Sequence, residues 1–429
     1  MYKNQNLNMS IDIKETIERM GADALSASRH LADLSSDQKN KILLSMADQL
    51  LSDCDIIIAA NEIDVSDAKK NGLTNAMIDR LGLNRSRIEA MADGIKQVSS
   101  LDDPVGQVMD DWKRPNGMSI RQIRVPIGVI GIIFESRPNV TSDAAVLCLK
   151  TGNATILRGG KESINSNLAI AKSLQKGGER AGLPEHSIQL IPFTDRQSVK
   201  HLAEMDQFLD LIIPRGGAGL IEAVVSMARM PVIKHYDGIC HTYIDSVCDI
   251  KMARDIVVDA KTQKPSVCNA LETLLVSESV AKEFLPLIGR DLIKKGVEIR
   301  ADQQSSDLLG IDSVPASNED WRTEYLDLIL SVKVVSDIND AIDHINEYGS
   351  HHSDCIVTDS RENADLFMKK IDSATVFWNV STRFSDGEEF GFGAEIGIST
   401  DKLHARGPMA LRELTSYKYL ITGNGQTKS

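Results

Sequence analysis

The sequence predicts an α/β protein with two doubly wound domains and a small β arm. Short apolar runs typical of strands alternate with helical segments along most of the chain, and this alternation favours largely parallel sheets. Two further short segments alternate polar and apolar residues, as half-exposed strands do. The length of 429 residues also exceeds what one hydrophobic core usually sustains, so two or more domains are expected.

Helices come first along the chain. From Ser10 to about Ser100 the apolar residues recur at helical spacing, as at Ile42, Met46 and Leu50. The residues that begin at Ser35 are typical helix caps and stand directly before this run. We predict three helices in this stretch.

The strands fall into two sets, each of which predicts one doubly wound domain. The first set comprises Val125 to Phe134, Ala154 to Leu157, Ile188 to Ile191, Leu209 to Ile213, Val232 to Lys234 and Thr242 to Asp245. The second set comprises Glu272 to Val276, Val297 to Ile299, Ser331 to Val335, Ser353 to Val357 and Thr375 to Asn379.

Two alternating segments predict the arm. Met118 to Val125 has the pattern of an exposed hairpin, and Tyr417 to Thr422 is a similar short β run. Exposed strands of this kind can build a subunit interface, so we expect a homo-oligomer.

Composition excludes several classes of protein. A formal net charge of -13 argues against a nucleic-acid binder, because affinity for a phosphate backbone comes from clustered cationic surface. We find neither a signal-peptide pattern nor a bilayer-spanning run, and therefore expect a cytoplasmic protein without membrane contact. Six scattered cysteines predict free thiols and no metal, and the pair His351-His352 favours a surface or substrate-side role.

Cys268 is the first candidate for chemistry. It stands between a polar, proline-containing stretch and an apolar run that predicts a strand, with Lys261 and Lys264 upstream. Positive charge nearby lowers a thiol pKa and raises the fraction of nucleophilic thiolate. The alternative, which fits most single cysteines, is an inert buried thiol.

Two phosphate-binding motifs are incomplete. Arg158-Gly-Gly-Lys161 is followed by Glu162, where a P-loop requires Ser or Thr. Arg215-Gly-Gly-Ala-Gly219 lacks the spacing of the dinucleotide fingerprint. A kinase-like P-loop is excluded, and any dinucleotide binds by another geometry.

Several longer strings, taken together, resemble one family, the gamma-glutamyl phosphate reductases of the aldehyde dehydrogenase superfamily. The resemblance follows the chain in order over nearly its whole length, and its most specific strings are Glu-Ser-Arg-Pro-Asn and Leu-His-Ala-Arg-Gly-Pro-Met. The matching segments are Val125 to Asn139, Lys150 to Lys161, Ile213 to Gly219, the stretch around Cys268, and Leu403 to Met409.

The resemblance implies NADPH-dependent reduction of L-glutamyl 5-phosphate to L-glutamate 5-semialdehyde and phosphate, the second step of proline biosynthesis from glutamate. Cys268 would attack the acyl phosphate and form a thioester that hydride reduces. Asn139 matches the superfamily's oxyanion asparagine, which would act with the Cys268 backbone N–H. From composition alone, Asn139 is a turn residue after Pro138.

One difference from the aldehyde-oxidising relatives supports reduction. Those relatives carry a glutamate that activates water against the thioester, and the matching stretch here is His235-Tyr-Asp-Gly238. The hydrolytic base is therefore missing, although His235 or Asp237 stays open as a residual general acid or base.

The resemblance also assigns cofactor and substrate residues. Lys161, where NAD-preferring relatives have a carboxylate, implies NADPH/NADP because it suits a 2′-phosphate. The full cofactor set is Arg158, Gly159, Gly160, Lys161, Arg215, Gly216, Gly217 and Glu324. For Arg215, a turn with solvated charge is the alternative. The substrate set is Arg383 with Ser381 and Thr382 for the carboxylate, and Arg137 with Lys261 for the phosphate.

The implied domains and partners complete the expectation. Residues 1–112 and 127–235 would bind NADPH, residues 236–409 would carry Cys268, and residues 113–126 and 410–429 would form an oligomerisation arm. Glutamate 5-kinase is a possible partner, and no kinase-like module precedes the opening helices. Two alternatives stay open: a relative that reduces an acyl-CoA or another acyl phosphate, and a catalytically silent binding protein.

Overall fold

The computed structural model describes residues 12–234 and 236–428, and these residues form two compact units. The first unit contains residues 12–233, 393–397 and 409–428. The second contains residues 234–392 and 398–408, apart from position 235. Ser10, where we predicted the helical stretch to begin, and His235 lie outside the described residues.

Nine helices and six strands of the first unit come before residue 234 in the described part of the chain. The helices are α1 (Ile13–Ala32), α2 (Ser36–Ser52), α3 (Cys54–Lys70), α4 (Asn75–Leu81), α5 (Arg85–Ser100), α6 (Val140–Lys150), α7 (Ile164–Arg180), α8 (Gln197–Ala203) and α9 (Ala218–Met227). The strands are β1 (Val108–Lys113), β2 (Ser119–Pro126), β3 (Val129–Phe134), β4 (Ala154–Arg158), β5 (Ile188–Leu190) and β6 (Leu211–Arg215).

The opening helical stretch contains five described helices, so the prediction of three is wrong. A single residue, Asp53, separates α2 from α3, and the apolar spacing runs across it without a visible break. The short α4 follows a turn at Gly72, whose φ is +71°, and Thr74 caps it. The predicted cap of α2 is confirmed, because Ser35 and Gln38 form a reciprocal capping box.

The core of the first unit is a four-stranded parallel sheet in the order β5-β4-β3-β6. Strands β3 and β4 are buried along their whole length, which explains why they are continuous apolar runs. The predicted run from Val125 to Phe134 is in fact two strands, separated at Gly128, which has a φ of +135°. The predicted strand from Val232 to Lys234 is reduced to one bridge between Val232 and Ile212.

The second unit contains a seven-stranded parallel sheet and five helices in its described residues. The strands are β7 (Cys240–Ile244), β8 (Leu271–Ser277), β9 (Glu298–Ala301), β10 (Val314–Pro315), β11 (Ile329–Val335), β12 (Ser353–Val357) and β13 (Thr375–Trp378). The helices are α10 (Ile250–Thr262), α11 (Glu278–Lys294), α12 (Gln303–Leu309), α13 (Ile338–Tyr348) and α14 (Arg361–Lys370). The sheet order is β10-β9-β11-β8-β7-β12-β13.

This order corrects one grouping made from the sequence. The strand predicted from Thr242 to Asp245 was placed in the first set, but it is β7 and pairs with β8 and β12 in the second sheet. Chain order alone does not show which of two sheets a strand joins, because both sheets are parallel and alternate with helices.

The arm is a three-stranded antiparallel sheet. Strand β2 pairs with β1 and with β16 (Thr415–Thr422), so the two segments predicted to form it do lie side by side. A separate two-stranded sheet joins β14 (Gly397–Ser399) and β15 (Gly407–Met409). Within residues 12–234 and 236–428, no helix combines the length and apolar character that crossing a bilayer would require.

Close packing of α2 on α7 generates a stability prediction. A Cβ at Gly177 would lie 2.7 Å from the backbone oxygen of Ser45, whereas a Cβ at Gly94 in α5 would meet nothing within 4 Å. Gly177→Ala should lower the free energy of unfolding by about 1–3 kcal/mol through overpacking. The matched variant Gly94→Ala should raise it by about 0.5–1 kcal/mol through helix propensity.

Chemical denaturation followed by circular dichroism measures both changes. Equal effects of the two alanines would contradict the close helix contact at Gly177.

Candidate active site

Cys268 lies in the loop between α10 and β8, at the amino end of β8. Its side chain is half-buried, and the predicted strand after it is confirmed. We call residues 263–270 the Cys268 loop. All six cysteines carry free thiols, and Cys268 and Cys248 alone are not fully buried.

The backbone of Cys268 packs against Gly238, which precedes β7. A Cβ at Gly238 would lie 2.5 Å from the Cys268 Cα and even closer to its carbonyl oxygen, so no side chain fits at position 238. Strands β7 and β8 are neighbours in the parallel sheet, and this brings the residues before them to the same edge. The close approach fixes the position of the Cys268 peptide.

Cys240, at the start of β7, contacts the same peptide. Its Sγ donates to the Cys268 carbonyl oxygen at 3.2 Å and lies 3.8 Å from His352 Nδ1. Burial, together with the charge of Asp354, raises the pKa of the Cys240 thiol well above its usual value, so it stays protonated and can donate. His352 is fully buried, so the surface role predicted as one alternative is wrong for it.

Asn269 is held by the segment after β13. Its Nδ2 donates to the carbonyl oxygens of Arg383 and Ser385 at 3.3 and 3.0 Å, and its Oδ1 accepts from Arg383 Nη1. The fully buried hydroxyl of Thr382 donates to the Asn269 carbonyl at 2.8 Å. Thr382 therefore holds the residue after Cys268, and its predicted contact with a substrate carboxylate is wrong.

Ser381 and Arg383 also have local roles. Ser381 is buried, and its Oγ caps the short helix Thr382–Phe384 by accepting from the Arg383 N–H. The Arg383 guanidinium is half-buried and also donates to Gln263 Oε1 at 2.9 Å, which ties it to both ends of the Cys268 loop.

A buried ion pair closes the base of the Cys268 loop. Lys261 Nζ, in the last turn of α10, lies 2.7 Å from Glu272 Oε2 in β8, and neither side chain is exposed. Burial raises the pKa of Glu272 to about 7 and lowers the pKa of Lys261, while the pairing opposes both shifts. Lys261 is thus neutralised by Glu272, and the predicted contact with a substrate phosphate is wrong.

Glu324 is the remaining predicted residue near this loop. It precedes β11, and its Oε1 accepts from the Gly238 N–H at 2.9 Å. Burial raises the pKa of Glu324, although the Gly238 N–H acts in the opposite direction. In the described structure this carboxylate is engaged by the protein itself.

The first unit gathers its predicted residues at the carboxyl edge of its sheet. Because β4, β3 and β6 are parallel neighbours, the loops that follow them share one edge. These loops carry Lys161, Asn139 and Arg215. The exposed Lys161 begins a short helix, Lys161–Ser163.

Asn139 is the N-cap residue that directly precedes α6, and it is exposed. Its Nδ2 donates to Asp143 Oδ2 at 2.9 Å, one turn later, which fixes the orientation of the amide. Burial raises the pKa of Asp143 despite this bond. Arg137, two residues earlier, is exposed.

Arg158 is buried, unlike the other charged residues of the predicted cofactor set. Its guanidinium donates to the carbonyl oxygens of Gly159 and Thr194, both at 3.0 Å. Arg158 therefore holds two loops together. A Cβ at Gly159 would lie 3.1 Å from Phe134 and clash with Asn167, so the turn requires glycine.

The N-terminus of α9 already holds an anion. The Gly217 N–H donates to the carboxylate of Glu135 at 3.1 Å, where the helix dipole favours negative charge. No atom lies within 4 Å of a Cβ built at Gly217, whereas one at Gly216 would lie 2.6 Å from Glu135 Cδ.

Comparison with known proteins identifies the family to which this chain belongs. The profile of the aldehyde dehydrogenase family matches residues 7–304. Gamma-glutamyl phosphate reductase of Clostridium beijerinckii is 53% identical over 408 residues, which cover 95% of this chain and 98% of the relative. The chain belongs to the aldehyde dehydrogenase family and, within it, to the gamma-glutamyl phosphate reductases.

Two further matches agree. Gamma-glutamyl phosphate reductase of Thermoanaerobacter pseudethanolicus is 53% identical over 412 residues, which cover 96% of this chain and 99% of the relative. The crystal structure of gamma-glutamyl phosphate reductase from Thermotoga maritima superposes with a TM-score of 0.95 at 44% identity, covering 96% of this chain and 100% of the other. The predicted family and its aldehyde-dehydrogenase-like α/β fold are confirmed.

The candidate site contains residues that we did not predict. Glu272, Gly238 and Asp143 each contact a predicted residue or its backbone. One signal was available in the sequence, since Glu272 is a charged residue inside an otherwise apolar strand. Among the described residues, no group of three or more His, Cys, Asp or Glu side chains is placed to hold a metal ion.

The buried ion pair of Lys261 and Glu272 generates a prediction. Lys261→Met leaves the carboxylate of Glu272 buried without its partner and should lower the free energy of unfolding by about 3–5 kcal/mol. The double variant Lys261→Met with Glu272→Leu should regain most of the loss, because it removes both charges.

Tryptophan fluorescence during urea denaturation measures this in a Trp112→Phe background, since the other two tryptophans, Trp321 and Trp378, both lie in the second unit. A double variant as unstable as the single one would contradict the pairing.

Proposed function

We propose that the chain reduces L-glutamyl 5-phosphate to L-glutamate 5-semialdehyde and phosphate, with NADPH as the reductant, in the second step of proline biosynthesis from glutamate. The observation that carries the proposal is the fixed Cys268 peptide, in a chain 53% identical to gamma-glutamyl phosphate reductases over nearly its whole length. Aldehyde dehydrogenases use nicotinamide cofactors, and this supports the class of reductant.

Cys268 supplies the nucleophile in this proposal. Its thiolate attacks the γ-acyl carbon, a C–S bond forms, and the C–O bond to phosphate breaks with its electron pair on the departing phosphate. A bound reduced nicotinamide would supply the hydride that adds to the thioester carbon, and the aldehyde is released when the bond to sulfur is lost. The C–S bond then breaks, and its electron pair returns to sulfur.

Asn139 would stabilise the negative charge that develops on the acyl oxygen. An amide donor of this kind helps most when its direction is set in advance. Asp143 sets the direction of the Asn139 amide by accepting one of its N–H groups. The Cys268 backbone N–H is the second proposed donor, and the contacts with Gly238 and Asn269 restrain its peptide.

Water must be kept from the thioester, because hydrolysis would release glutamate instead of the aldehyde. The stretch that matches the hydrolytic glutamate string of the aldehyde-oxidising relatives, His235-Tyr-Asp-Gly238, contains no glutamate. His235 lies outside the described residues, so Asp237 is the one described candidate for a residual general acid or base.

Substrate binding falls to fewer residues than the sequence predicted. Lys261 and Thr382 are fully buried, whereas Arg383 is half-buried and Arg137 is exposed, so we assign the carboxylate to Arg383 and the phosphate to Arg137. Guanidinium groups suit both anions because they donate through two parallel N–H bonds.

The residues present fit a dinucleotide phosphate. Lys161 is exposed at the carboxyl end of β4, where it can meet a 2′-phosphate, and the Gly217 N–H at the start of α9 already accommodates a carboxylate. Gly217 has open space where a Cβ would point, and Arg215 ends β6 beside it, whereas Gly159, Gly160 and Gly216 are closely packed against protein atoms of the same sheet edge.

The arm supports assembly with another copy of the chain. Its strand β16 exposes Tyr417, Tyr419 and Ile421, and their exposed fractions of 50%, 52% and 61% are unusual for large apolar side chains. Exposed strands with such side chains suit an interface between copies. Glutamate 5-kinase stays a proposed partner because the acyl phosphate it produces is labile.

The reverse reaction tests substrate, direction and nucleophile together. NADP reduction by glutamate 5-semialdehyde should require inorganic phosphate and should fall by about three orders of magnitude or more in Cys268→Ala, because the covalent step is lost. Cys248→Ala, which removes the other half-buried thiol, is the matched control and should keep its activity.

Turnover that depends on coenzyme A and not on phosphate would show that the substrate is an acyl-CoA and not an acyl phosphate. Unchanged turnover in Cys268→Ala would show that Cys268 is not the nucleophile. Binding of NADPH without any turnover would indicate a silent binding protein.

Cofactor preference has its own test. Lys161→Glu places a carboxylate where the 2′-phosphate should bind, and its repulsion should lower the ratio of kcat/KM for NADPH over NADH by about tenfold or more. Lys172→Glu, an exposed substitution on α7 with the same change of net charge, should leave the ratio unchanged. Equal ratios in both variants would show that Lys161 does not contact the cofactor.

A further inference from the structure

We propose that Glu324 is a positioning residue: through the Gly238 N–H it holds the peptide against which the Cys268 backbone packs. The proposal deepens the proposed function, because it concerns how the nucleophile of that reaction is kept in place. It differs from the expectation that Glu324 contacts the cofactor ribose.

The contact itself is direct. Glu324 Oε1 accepts from the Gly238 N–H at 2.9 Å, and the buried Gly238 touches the Cα and carbonyl group of Cys268. A hydrogen bond to a charged acceptor is stronger than an ordinary one and is well directed. Movement of the Gly238 peptide toward Cys268 would produce a clash, and movement away from it would break this bond.

Glu324 is itself held by the strand that follows the nucleophile. Two residues after Glu324, the N–H of Leu326 donates to Glu272 Oε1 at 3.3 Å. Leu326 has a φ of +54°, a left-handed conformation that is uncommon for leucine and persists only where its surroundings hold it. The other carboxylate oxygen of Glu272 binds Lys261.

These contacts form a closed cycle. Cys268 leads into β8 and Glu272, Glu272 binds the Leu326 peptide, Glu324 binds the Gly238 peptide, and Gly238 packs on Cys268. Three segments from different parts of the sequence therefore restrain one another around the nucleophile. The carboxylate of Glu324 is the one side chain in this cycle that holds Gly238.

Three substitutions separate this role from a cofactor contact. Glu324→Gln keeps a carbonyl oxygen that can accept from Gly238, whereas Glu324→Met has similar volume and no strong acceptor. Glu283→Ala, an exposed glutamate on α11, controls for the loss of one negative charge. Glu324→Ala is the second variant if Glu324→Met does not fold.

The first measurement needs neither substrate nor cofactor. Hydrogen–deuterium exchange of the free protein should show faster exchange in the peptides containing Gly238 and Cys268 for Glu324→Met, by about tenfold, as expected for a lost hydrogen bond of about 1.4 kcal/mol. Glu324→Gln and Glu283→Ala should match the wild type. Unchanged exchange in Glu324→Met would overturn the contact.

The second measurement is the split between kcat and KM with NADPH. Glu324→Met should lower kcat by about tenfold to a hundredfold, because a misplacement of about 1 Å can cost about a hundredfold in rate. The KM for NADPH should change by less than about threefold, and Glu324→Gln should restore most of kcat. A raised KM with kcat intact, in both Glu324 variants, would assign Glu324 to the cofactor and overturn the proposal.

The two measurements also separate this proposal from the proposed function. If exchange changes as expected but the wild type shows no turnover of glutamate semialdehyde with phosphate, the substrate is wrong while the restraint on Cys268 stands. If turnover is as proposed and kcat is unaffected in Glu324→Met, the positioning role fails alone.

Discussion

The contact between the Gly238 backbone and the Cys268 backbone is the constraint on which the rest of this site depends. Only glycine fits there, and two backbones this close leave no space for water. Polar groups near the contact must therefore find protein partners. The Glu324 carboxylate accepts from the Gly238 N–H, and the Cys240 thiol donates to the Cys268 carbonyl oxygen.

The buried charges of the second unit follow from the same constraint. Lys261 and Glu272 lie on either side of the Cys268 loop, and their pairing closes the loop at its base without exposing either group. A buried ion pair contributes little net stability compared with two apolar side chains, but it fixes geometry strongly because each partner is costly to leave alone. Here the pair fixes the position at which the chain enters β8.

Local patterns explain what the sequence could predict. The strands β4 and β12 and the cap at Ser35 depend on neighbouring residues, and the structure places them where the pattern indicates. The positions of Lys261 and Thr382 were also expected to be near Cys268. Their partners were not predictable, since Glu272 and Asn269 reach them only through the fold of the sheet. For this reason we predicted that both side chains contact the substrate, whereas in the structure they hold the Cys268 loop in place.

The candidate residues of the second unit lie at both ends of its strands, which limits what a motif can show. In the first unit the glycine-rich loops follow β4 and β6, as ligand loops of parallel sheets usually do. In the second unit Cys268, Gly238 and Glu324 all precede their strands. A search guided by the usual rule would find the first group and miss the second.

The carboxylate of Glu135 at the start of α9 has a consequence for affinity. The Glu135 carboxylate already accepts from the Gly217 N–H. A phosphate that took its place would therefore gain only the difference in interaction free energy between the two anions at this helix end. In the proposed cofactor site, Glu135 would replace a departing dinucleotide phosphate at this helix end, because it is tethered there at high effective concentration. Such a competitor within the protein would weaken retention of a spent dinucleotide and favour rapid exchange.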